Sequence, residues 1–333
     1  MDALPGYTAV VRVAVGEVVN AEEDAMTTEF KDKDIQVCFN PHFDAVSLWL
    51  GSFGGADSPC DISRGVFAAK RGVPRLLEFF RRYGITTTWH ITGHSIESFP
   101  KAAEMIAKDG HEIGVHGYSH ENPLAMSPEQ ERDVLDKSIE LCRGLTGKDP
   151  KGYATPWAEF TNITVDLLLE RGFSHEFSMM EEDCFPYYLR TGDSWTKIDY
   201  TKNAADWMKP WIAGEEVDIV EIPLSWHLDD APPTMFVKTA PNSHGWITGQ
   251  QLGQIWIDYF DWIYRNHDYA IYPLALHPDA AAKPHLMLAL ERLVDHVLRH
   301  RGVRMVTHAE MAADFRRRVP FGSNKTVGGE VGL

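Results

Sequence analysis

Cysteine is scarce in this sequence, and the few cysteines that occur are far apart. They are Cys38, Cys60, Cys142 and Cys184, with no C-x-x-C pair among them. This spacing argues against a disulfide framework and against a cysteine-rich zinc site, because both depend on paired cysteines. We therefore expect the thiols to be reduced.

Long apolar runs and a surplus of positive charge are also missing. No segment approaches the roughly 20 apolar residues that a membrane helix needs. Residues 1–19 contain no basic stretch followed by an apolar one, so we expect no signal peptide and predict a cytoplasmic location. The 32 basic residues are outnumbered by 48 acidic ones, for a formal net charge of −16. Such a charge disfavours binding to nucleic acid or to an anionic membrane.

The chain divides into three regions of different character. Residues 1–34 have few aromatics and no clear period, which predicts an N-terminal extension, and Met26 is our hypothesis for the native start. Residues 321–333 are glycine-rich and are expected to form a flexible tail. Between them, residues 35–320 alternate β-like and helical patterns without a break in composition, which is typical of a single domain.

This alternation predicts an α/β fold, specifically a distorted (β/α) barrel of seven to eight parallel strands. The first strand is predicted at Ile35–Phe39. Ser127 and Gln130 form a capping-box pattern at the start of a long helix that reaches Leu145. Seven or eight strand–helix units suit a closed or nearly closed barrel better than an open doubly wound sheet, the remaining alternative. No Gly-x-Gly-x-x-Gly follows a strand, so a dinucleotide-binding fold has no support.

Histidines occur in three pairs spaced four residues apart, a spacing that puts both rings on one helical face. The pairs are His90/His94, His116/His120 and His296/His300. His296 and His300 fall outside the apolar stripe of their helix and are expected to be solvated. His90 is expected to pack inside the barrel, and His94 to face the substrate.

The middle pair has the context of a metal site. His116 and His120 follow a short apolar strand, and catalytic groups of β/α barrels collect at the carboxyl ends of strands. Two neutral imidazoles and one carboxylate commonly bind a divalent ion and leave a position open for water. Asp44, after the first strand, is the best candidate for the carboxylate. One divalent metal is thus predicted, with zinc as first choice and iron, cobalt, manganese or nickel as alternatives.

Other strand ends also carry polar or aromatic side chains. His277 ends an apolar strand and is held by the following proline, a suitable position for a general acid. Trp157 and Glu159 follow an earlier strand, and Trp226 follows a later one. We expect Trp157 and Trp226, together with His94, to contact the substrate.

These motifs resemble those of the polysaccharide deacetylase (NodB-homology) family. His116-Gly-Tyr-Ser-His120 is similar to its H-[ST]-x-x-H motif, Leu274-Ala-Leu-His277 to its L-x-x-H motif, and Thr155-Pro-Trp157 to its R-x-P-[YW] motif. The resemblance runs from about Ile35 to Phe315. It is closest to the branch holding the Helicobacter-type peptidoglycan deacetylase, cyclic imide hydrolases and a cofactor-independent allantoinase.

The resemblance implies a distorted (β/α) barrel with specific roles for these residues. Asp44, His116 and His120 would bind the metal, and His277 would protonate the leaving nitrogen. The branch also implies a homo-oligomer, either a dimer or a tetramer.

Two positions depart from the family pattern. Phe43 stands where the family has the aspartate that serves as base, and Ala154 stands where an arginine orients that aspartate. His42 and Glu159 are the two alternatives for the base. Loss of the aspartate together with its arginine indicates that proton transfer differs from that of the sugar deacetylases.

The expected function is metal-dependent hydrolysis of a non-peptide C–N bond. A small cyclic imide, ureide or amide is the first expectation for the substrate, because the chain is acidic and its Trp- and Gly-rich loops could close a pocket. N-deacetylation of peptidoglycan or a chitooligosaccharide is the alternative. From another class, a catalytically inactive metal-binding barrel that acts as a binding protein would also explain the missing aspartate.

Overall fold

The computed structural model describes residues 33–53, 58–237 and 247–327. Most of the N-terminal extension, the end of the tail and part of the glycine-rich loop at 51–59 lie outside the described residues, so the expectations for them stay predictions. No helix in the described ranges combines the length and apolar character needed to cross a membrane.

One mixed sheet organises the described residues. It follows the order β6-β7-β5-β4-β3-β2-β1-β8, with β9 pairing alongside β1. Every pairing is parallel except β6 with β7. The strands are β1 Asp34–Phe43, β2 Thr88–Ile91, β3 Glu112–Val115, β4 Gly152–Tyr153, β5 His175–Glu176, β6 Tyr187–Thr191, β7 Glu215–Glu221, β8 Tyr269–Leu276 and β9 Val303–Met305. The predicted barrel is confirmed in its distorted form, and the antiparallel β6 is an addition to it.

Helices follow the strands as the alternating pattern predicts. They are α1 Pro59–Phe67, α2 Val73–Tyr83, α3 Gly93–Ser98, α4 Pro100–Lys108, α5 Pro128–Thr146, α6 Thr164–Glu170, α7 Ala204–Trp207, α8 Ala231–Thr234, α9 Gly249–Asn266, α10 Pro284–Val297 and α11 His308–Arg318. The predicted capping box is confirmed, because the Ser127 side chain and the Gln130 side chain each bond the other's backbone N–H. Two π-helical turns, Leu48–Ser52 and Ala68–Gly72, also occur.

The first strand is longer than predicted, and its extra residues matter for the site. The sequence pattern predicted a strand only as far as Phe39. In the structure β1 continues to Phe43 and pairs with β8 as far as Pro41 and Leu276. The extension carries His42 and Phe43 to the carboxyl edge of the sheet, one residue before Asp44.

Alternation along β1 separates two kinds of environment. Ile35, Val37, Phe39 and Phe43 belong to the larger apolar cluster. Residues 36, 38, 40 and 42 alternate with these and therefore face the other side of the strand, towards the barrel interior. Phe43 and His42 thus point in opposite directions. The aromatic ring at the position of the family's aspartate is part of the core, not of the site.

Candidate metal and catalytic site

Four buried polar side chains meet at the carboxyl ends of the strands. Asp44 follows β1, His116 and His120 follow β3, and His277 follows β8. One potential ligand atom from each of Asp44, His116 and His120 lies within 4.8 Å of the others. The structure therefore brings the three predicted metal ligands together.

The His116 nitrogen that faces Asp44 is proton-free. His116 Nδ1 lies 2.7 Å from the carbonyl oxygen of Ala154, which can only accept, so Nδ1 carries the proton and Nε2 a lone pair. That Nε2 is 3.6 Å from Asp44 Oδ1, and His120 Nε2 is 3.9 Å from Asp44 Oδ2. Both distances are too long for hydrogen bonds. A lone pair that faces a carboxylate across such a gap is repelled by it unless a cation lies between them.

Burial shapes the ionisation of all three groups. It raises the pKa of Asp44 to about 7, and neither of its oxygens has a hydrogen-bond partner in the described structure. It lowers the pKa of His116 to about 4 and that of His120 well below its ordinary value. Two neutral imidazoles and one unpaired buried carboxylate are a donor set that fits a divalent metal ion.

The backbone around these residues is strained. Four non-glycine residues of the described chain have positive φ: Ala45, His120, Trp157 and Ala158. Ala45 follows Asp44, and His120 is a predicted metal ligand. Trp157 and Ala158 border the cavity described below. A left-handed backbone at a non-glycine residue is unfavourable and is found where the surroundings enforce it, often at functional sites.

Close packing between two loops explains part of the backbone strain at His120. The π-helical turn Leu48–Ser52 lies against the loop that carries His120. A Cβ atom at Gly51 would collide with the carbonyl oxygens of Ser119 and His120. Next to this glycine, Ser52 Oγ lies 2.5 Å from His120 Nδ1, which supports the ring on the side away from Asp44.

His277 is held by two acidic residues that follow β7. Its Nδ1 is 2.8 Å from Asp230 Oδ1 and 3.5 Å from Asp229 Oδ1. Its backbone N–H also donates to Asp230. Burial alone would lower the pKa of His277, but Asp229, Asp230 and Asp44 outweigh it and raise the pKa to about 10. Nε2, 3.8 Å from Asp44 Oδ2, therefore keeps a proton beside the predicted metal ligands.

A cavity of about 390 Å³ opens onto this group. Its wall is mainly apolar and aromatic, with the imidazoles on one side. Trp157 and Trp226 lie on the lining with 39% and 47% of their surface exposed, so both rings can contact a ligand. The lining residues are His42, Leu48, Ser52, Phe53, His116, His120, Thr155, Trp157, Ala158, Phe177, Leu224, Trp226, Asp229, Ala231, Pro232, Met235, Val237 and His277.

The two alternatives for the base differ in position. His42 lines the cavity, with its ring centroid 4.5 Å from that of His116 and 5.2 Å from that of His277. Burial, followed by the neighbouring histidines, holds the pKa of His42 well below its ordinary value, so the ring is neutral. Glu159 is half-buried and does not line the cavity.

The expected substrate contact of His94 is not part of this cavity. His94 lies on α3, a helix that the sequence pattern did not predict. Its Nδ1 is 3.3 Å from Ser98 Oγ, and its ring contacts Tyr118 instead of the cavity. The prediction placed His94 at a strand end, whereas Thr92 caps α3 and turns the chain away.

The other histidine pairs lie elsewhere. His90 is fully buried inside the barrel, as expected, and its ring stacks on Phe177. His296 and His300 are half-buried beside Asp261 of α9, with His296 Nε2 2.6 Å from Asp261 Oδ1. That cluster has metal-ligating groups but no contact with the cavity lining.

Sequence reasoning did not assign several residues that shape the site. Asp230 orients His277, Ser52 supports His120, and Asn40 contacts His42. The adjacent pair Asp229-Asp230 after a predicted strand was the available signal. For Ser52 and Asn40 no local pattern existed, because their partners are distant in sequence or inside the barrel.

Comparisons with known proteins identify relatives of this chain. The family model described as "Polysaccharide deacetylase" matches residues 61–175. Peptidoglycan deacetylase of Helicobacter pylori is 54% identical over 288 residues, covering 86% of this chain and 98% of that protein. Peptidoglycan deacetylase-like protein FGM2 of Gibberella zeae is 36% identical, covering 84% of this chain and 86% of that protein.

Solved structures show the same architecture. A crystal structure from Mycobacterium smegmatis, assigned as a polysaccharide deacetylase, superposes with a TM-score of 0.73 at 27% identity, covering 86% of this chain and 92% of that one. The crystal structure of Puue allantoinase gives a TM-score of 0.68 at 19% identity, covering 87% and 93%. At that identity the second likeness concerns the fold alone.

Proposed function

The chain belongs to the polysaccharide deacetylase family and is a hydrolase of C–N bonds other than peptide bonds, and on that premise we propose that it N-deacetylates an amino sugar of peptidoglycan or a chitooligosaccharide. The main support is the 54% identity to a peptidoglycan deacetylase across 98% of that relative. This reverses the order expected from the sequence, in which a small ring came first.

Asp44, His116 and His120 would hold the metal, because their ligand atoms converge and those of Asp44 and His116 are buried without a hydrogen-bond partner. A divalent ion such as Zn²⁺, when bound, lowers the pKa of water towards about 7 and polarises a substrate carbonyl. We propose zinc because two imidazoles and a carboxylate are among its usual ligands.

His277 supplies the proton that the leaving nitrogen needs. Asp230 accepts from Nδ1–H and leaves the protonated Nε2 directed at the group around Asp44. Without such a donor, the amine would have to leave as an anion, which is far less stable in water. A general acid in this position typically contributes about 10²–10⁴-fold in rate.

His42 is the group we propose as the proton acceptor that replaces the missing aspartate. It lines the cavity, it is neutral, and it lies between His116 and His277. Glu159 has no comparable support, since its side chain is not on the cavity wall.

Trp157 and Trp226 offer flat apolar faces for the substrate. Both line the cavity and both are partly exposed. A sugar ring carries an apolar C–H face that can lie on such a ring, and the polar hydroxyls can then remain in solvent. This arrangement favours an amino sugar as the substrate.

A second candidate function has one specific observation in its favour. The cavity wall is predominantly apolar, with Leu48, Phe53, Phe177, Leu224 and Met235 among its residues. A compact ring such as a cyclic imide or ureide would fill such a space without leaving polar hydroxyls against apolar groups. Both candidate reactions break a C–N bond. Both would use the four polar side chains described above, which are Asp44, His116, His120 and His277.

A direct substrate comparison tests the proposal. Acetate release from acetylated chitooligosaccharide and from peptidoglycan would be measured beside ring opening of succinimide, hydantoin, phthalimide and allantoin, using zinc-loaded protein. We expect turnover of the acetylated sugar, abolished in Asp44→Ala. Turnover of a small ring without acetate release would replace the proposal by the second candidate. No turnover at all, with metal bound, would favour the inactive binding protein.

We also propose a homo-oligomer, and the cytoplasmic location stays an expectation from the sequence. Large apolar side chains are exposed along residues 195–212, including Trp195, Tyr200 and Trp211, and patches of this kind often mark contact surfaces. Light scattering of the purified chain tests assembly, with a mass of two or four chains expected and a monomer contradicting it. Fractionation of cells tests the location.

A further inference from the structure

A single buried amide lies between two histidines at the floor of the site. Asn40 of β1 is fully buried. Its Nδ2 donates to the carbonyl oxygen of Thr88 at 2.9 Å. Its Oδ1 lies 2.7 Å from His42 Nε2 and 3.0 Å from His90 Nδ1.

The orientation of this amide is determined by its partners. The Thr88 carbonyl can only accept, so the atom of Asn40 that faces it must be the donating nitrogen. The reversed amide would place two oxygens against each other in a buried setting, at the cost of an unsatisfied donor and acceptor. Oδ1 therefore faces both rings.

This orientation decides where the protons of the two rings lie. An amide oxygen has two lone pairs and no proton to give, so it can bond both ring nitrogens only if each carries a hydrogen. His42 must be protonated at Nε2 and His90 at Nδ1. The result holds whether or not a second proton is bound to His42, because the Nε2–H is needed in either state.

The lone pair of His42 is consequently on Nδ1. Nδ1 has no hydrogen-bond partner in the described structure, and its ring is on the cavity wall beside His116 and His277. A ring with the other tautomer would turn an N–H towards the cavity and could not accept from a water or a substrate group.

We propose that Asn40 is a positioning residue that locks His42 in the Nε2–H tautomer, so that Nδ1 is the nitrogen that accepts a hydrogen bond inside the cavity. The catalytic part of this proposal rests on the proposed function, in which His42 serves the hydrolysis. The structural part does not, because it concerns the hydrogen-bond state of one ring.

The first test reads the tautomer directly. The full chain, loaded with Zn²⁺ and labelled with ¹⁵N in histidine, is studied by NMR through the couplings of each ring nitrogen to the ring carbon-bound protons. His42→Gln assigns the signal by its disappearance. We expect the wild-type ring to be protonated at Nε2 and free at Nδ1. A His42 ring protonated only at Nδ1, or a mixture of both tautomers, overturns the proposal without any activity measurement.

Two variants of Asn40 form a matched pair. Asn40→Leu has a similar shape and no acceptor, whereas Asn40→Asp keeps an oxygen facing both rings. We expect Asn40→Leu to give mixed tautomers at His42 and to lower kcat by about 10²-fold with little change in KM, a general base being worth at least that factor. Asn40→Asp is expected to keep the Nε2–H signal and more of kcat.

These experiments test the positioning role of Asn40 and the catalytic role of His42 separately. An unchanged tautomer in Asn40→Leu contradicts the positioning role. A changed tautomer with unchanged kcat contradicts the catalytic part and removes His42 from the reaction. If no substrate is turned over, the proposed function fails, while the NMR signals of the wild-type chain still decide the role of Asn40. If Asn40→Leu does not fold, the NMR signals of the wild-type chain still decide whether His42 is held in the Nε2–H tautomer.

Discussion

At the scale of single residues, the site is defined by hydrogen bonds made on the side away from it. Ala154 accepts from His116, and Asp230 accepts from His277. Both bonds place a proton on Nδ1. His116 is otherwise neutral, so its Nε2 offers a lone pair to Asp44, whereas the acidic groups around His277 raise its pKa to about 10 and keep a second proton on its Nε2. The same ring type thus serves as a metal ligand at one position and as an acid at another.

The role of His277 predicts a loss of rate without a loss of metal. His277→Ala should lower kcat by about 10²–10⁴-fold, because the leaving nitrogen loses its proton donor. Bound zinc should be unchanged, since the three predicted ligands remain. Steady-state kinetics and elemental analysis of the same preparation measure both quantities.

His227→Ala is the matched control, since this exposed histidine is near the site in sequence and absent from the cavity wall. It should keep kcat within about twofold. Equal losses in the two variants would mean that His277 has no special role.

Much of this residue-level account was predictable from strand ends. Asp44, His116, His120 and His277 were singled out because each follows a predicted strand, and the structure brings them together. Asp230 could not be given its role, because its contact with His277 depends on the segment after β7 lying against β8 in the folded chain. His94 was placed wrongly, because a short helix begins where a loop was expected.

At the scale of elements, small residues in the strands make room for histidines inside the barrel. A Cβ atom at Gly114 of β3 would lie 2.5 Å from His90 Cδ2 and 2.9 Å from the carbonyl oxygen of Gly152. Such a contact cannot be relieved by a flexible side chain, because His90 is enclosed by Phe177 and Asn40.

Gly114→Ala should therefore lower the free energy of unfolding by about 1–3 kcal/mol, the usual cost of overpacking a core. Gly144→Ala provides the opposite case. Gly144 lies within α5 with open space around its Cα, so the change should raise stability by about 0.5–1 kcal/mol through helix propensity. Urea unfolding of both variants measures the difference. Equal effects would contradict the packing argument.

Element boundaries were less predictable than element types. The sequence pattern is helical throughout residues 66–83, whereas in the structure α1 ends at Phe67, α2 begins at Val73, and the π-helical turn Ala68–Gly72 joins them. Helical periodicity is similar on both sides of such a turn, so sequence cannot show it. The antiparallel β6 was missed because its neighbours along the chain are irregular and its pairing with β7 is a long-range contact.

At the scale of the whole molecule, a buried acid pair links stability to pH. Glu176 and Glu221 end the neighbouring strands β5 and β7, and each has one buried oxygen without a donor. A proton shared between these oxygens would satisfy both. Burial raises the pKa of Glu176 to about 7, and burial together with Glu176 raises that of Glu221 well above its ordinary value.

The sign of the effect follows from these raised values. The folded state holds protons that the unfolded chain releases above about pH 4.5, so stability is full below that pH and falls as the pH rises through about 7. Glu221→Gln keeps an acceptor for the backbone of Ser178 and Met179 and adds a permanent donor towards Glu176. It should be more stable than wild type at pH 8 by about 1–3 kcal/mol and nearly equal at pH 5.

Urea unfolding at the two pH values checks this prediction. Glu216→Gln, on the exposed part of β7, is the control and should shift neither curve by more than about 0.5 kcal/mol. A Glu221→Gln variant that is destabilised at pH 8 would contradict this account, because it would show that the acid pair does not cost the wild type stability at that pH.

The central claim is that Asp44, His116 and His120 bind one divalent metal ion, and metal analysis tests it most directly. Protein purified without chelator and loaded with zinc would be analysed as wild type, as Asp44→Ala/His116→Ala, and as Asp261→Ala/His296→Ala, which removes the other cluster of metal-ligating groups. We predict near-stoichiometric zinc in the wild type and in the Asp261 variant, and its loss in the Asp44 variant. Zinc retained by a folded Asp44 variant, or lost only from the Asp261 variant, would contradict the account.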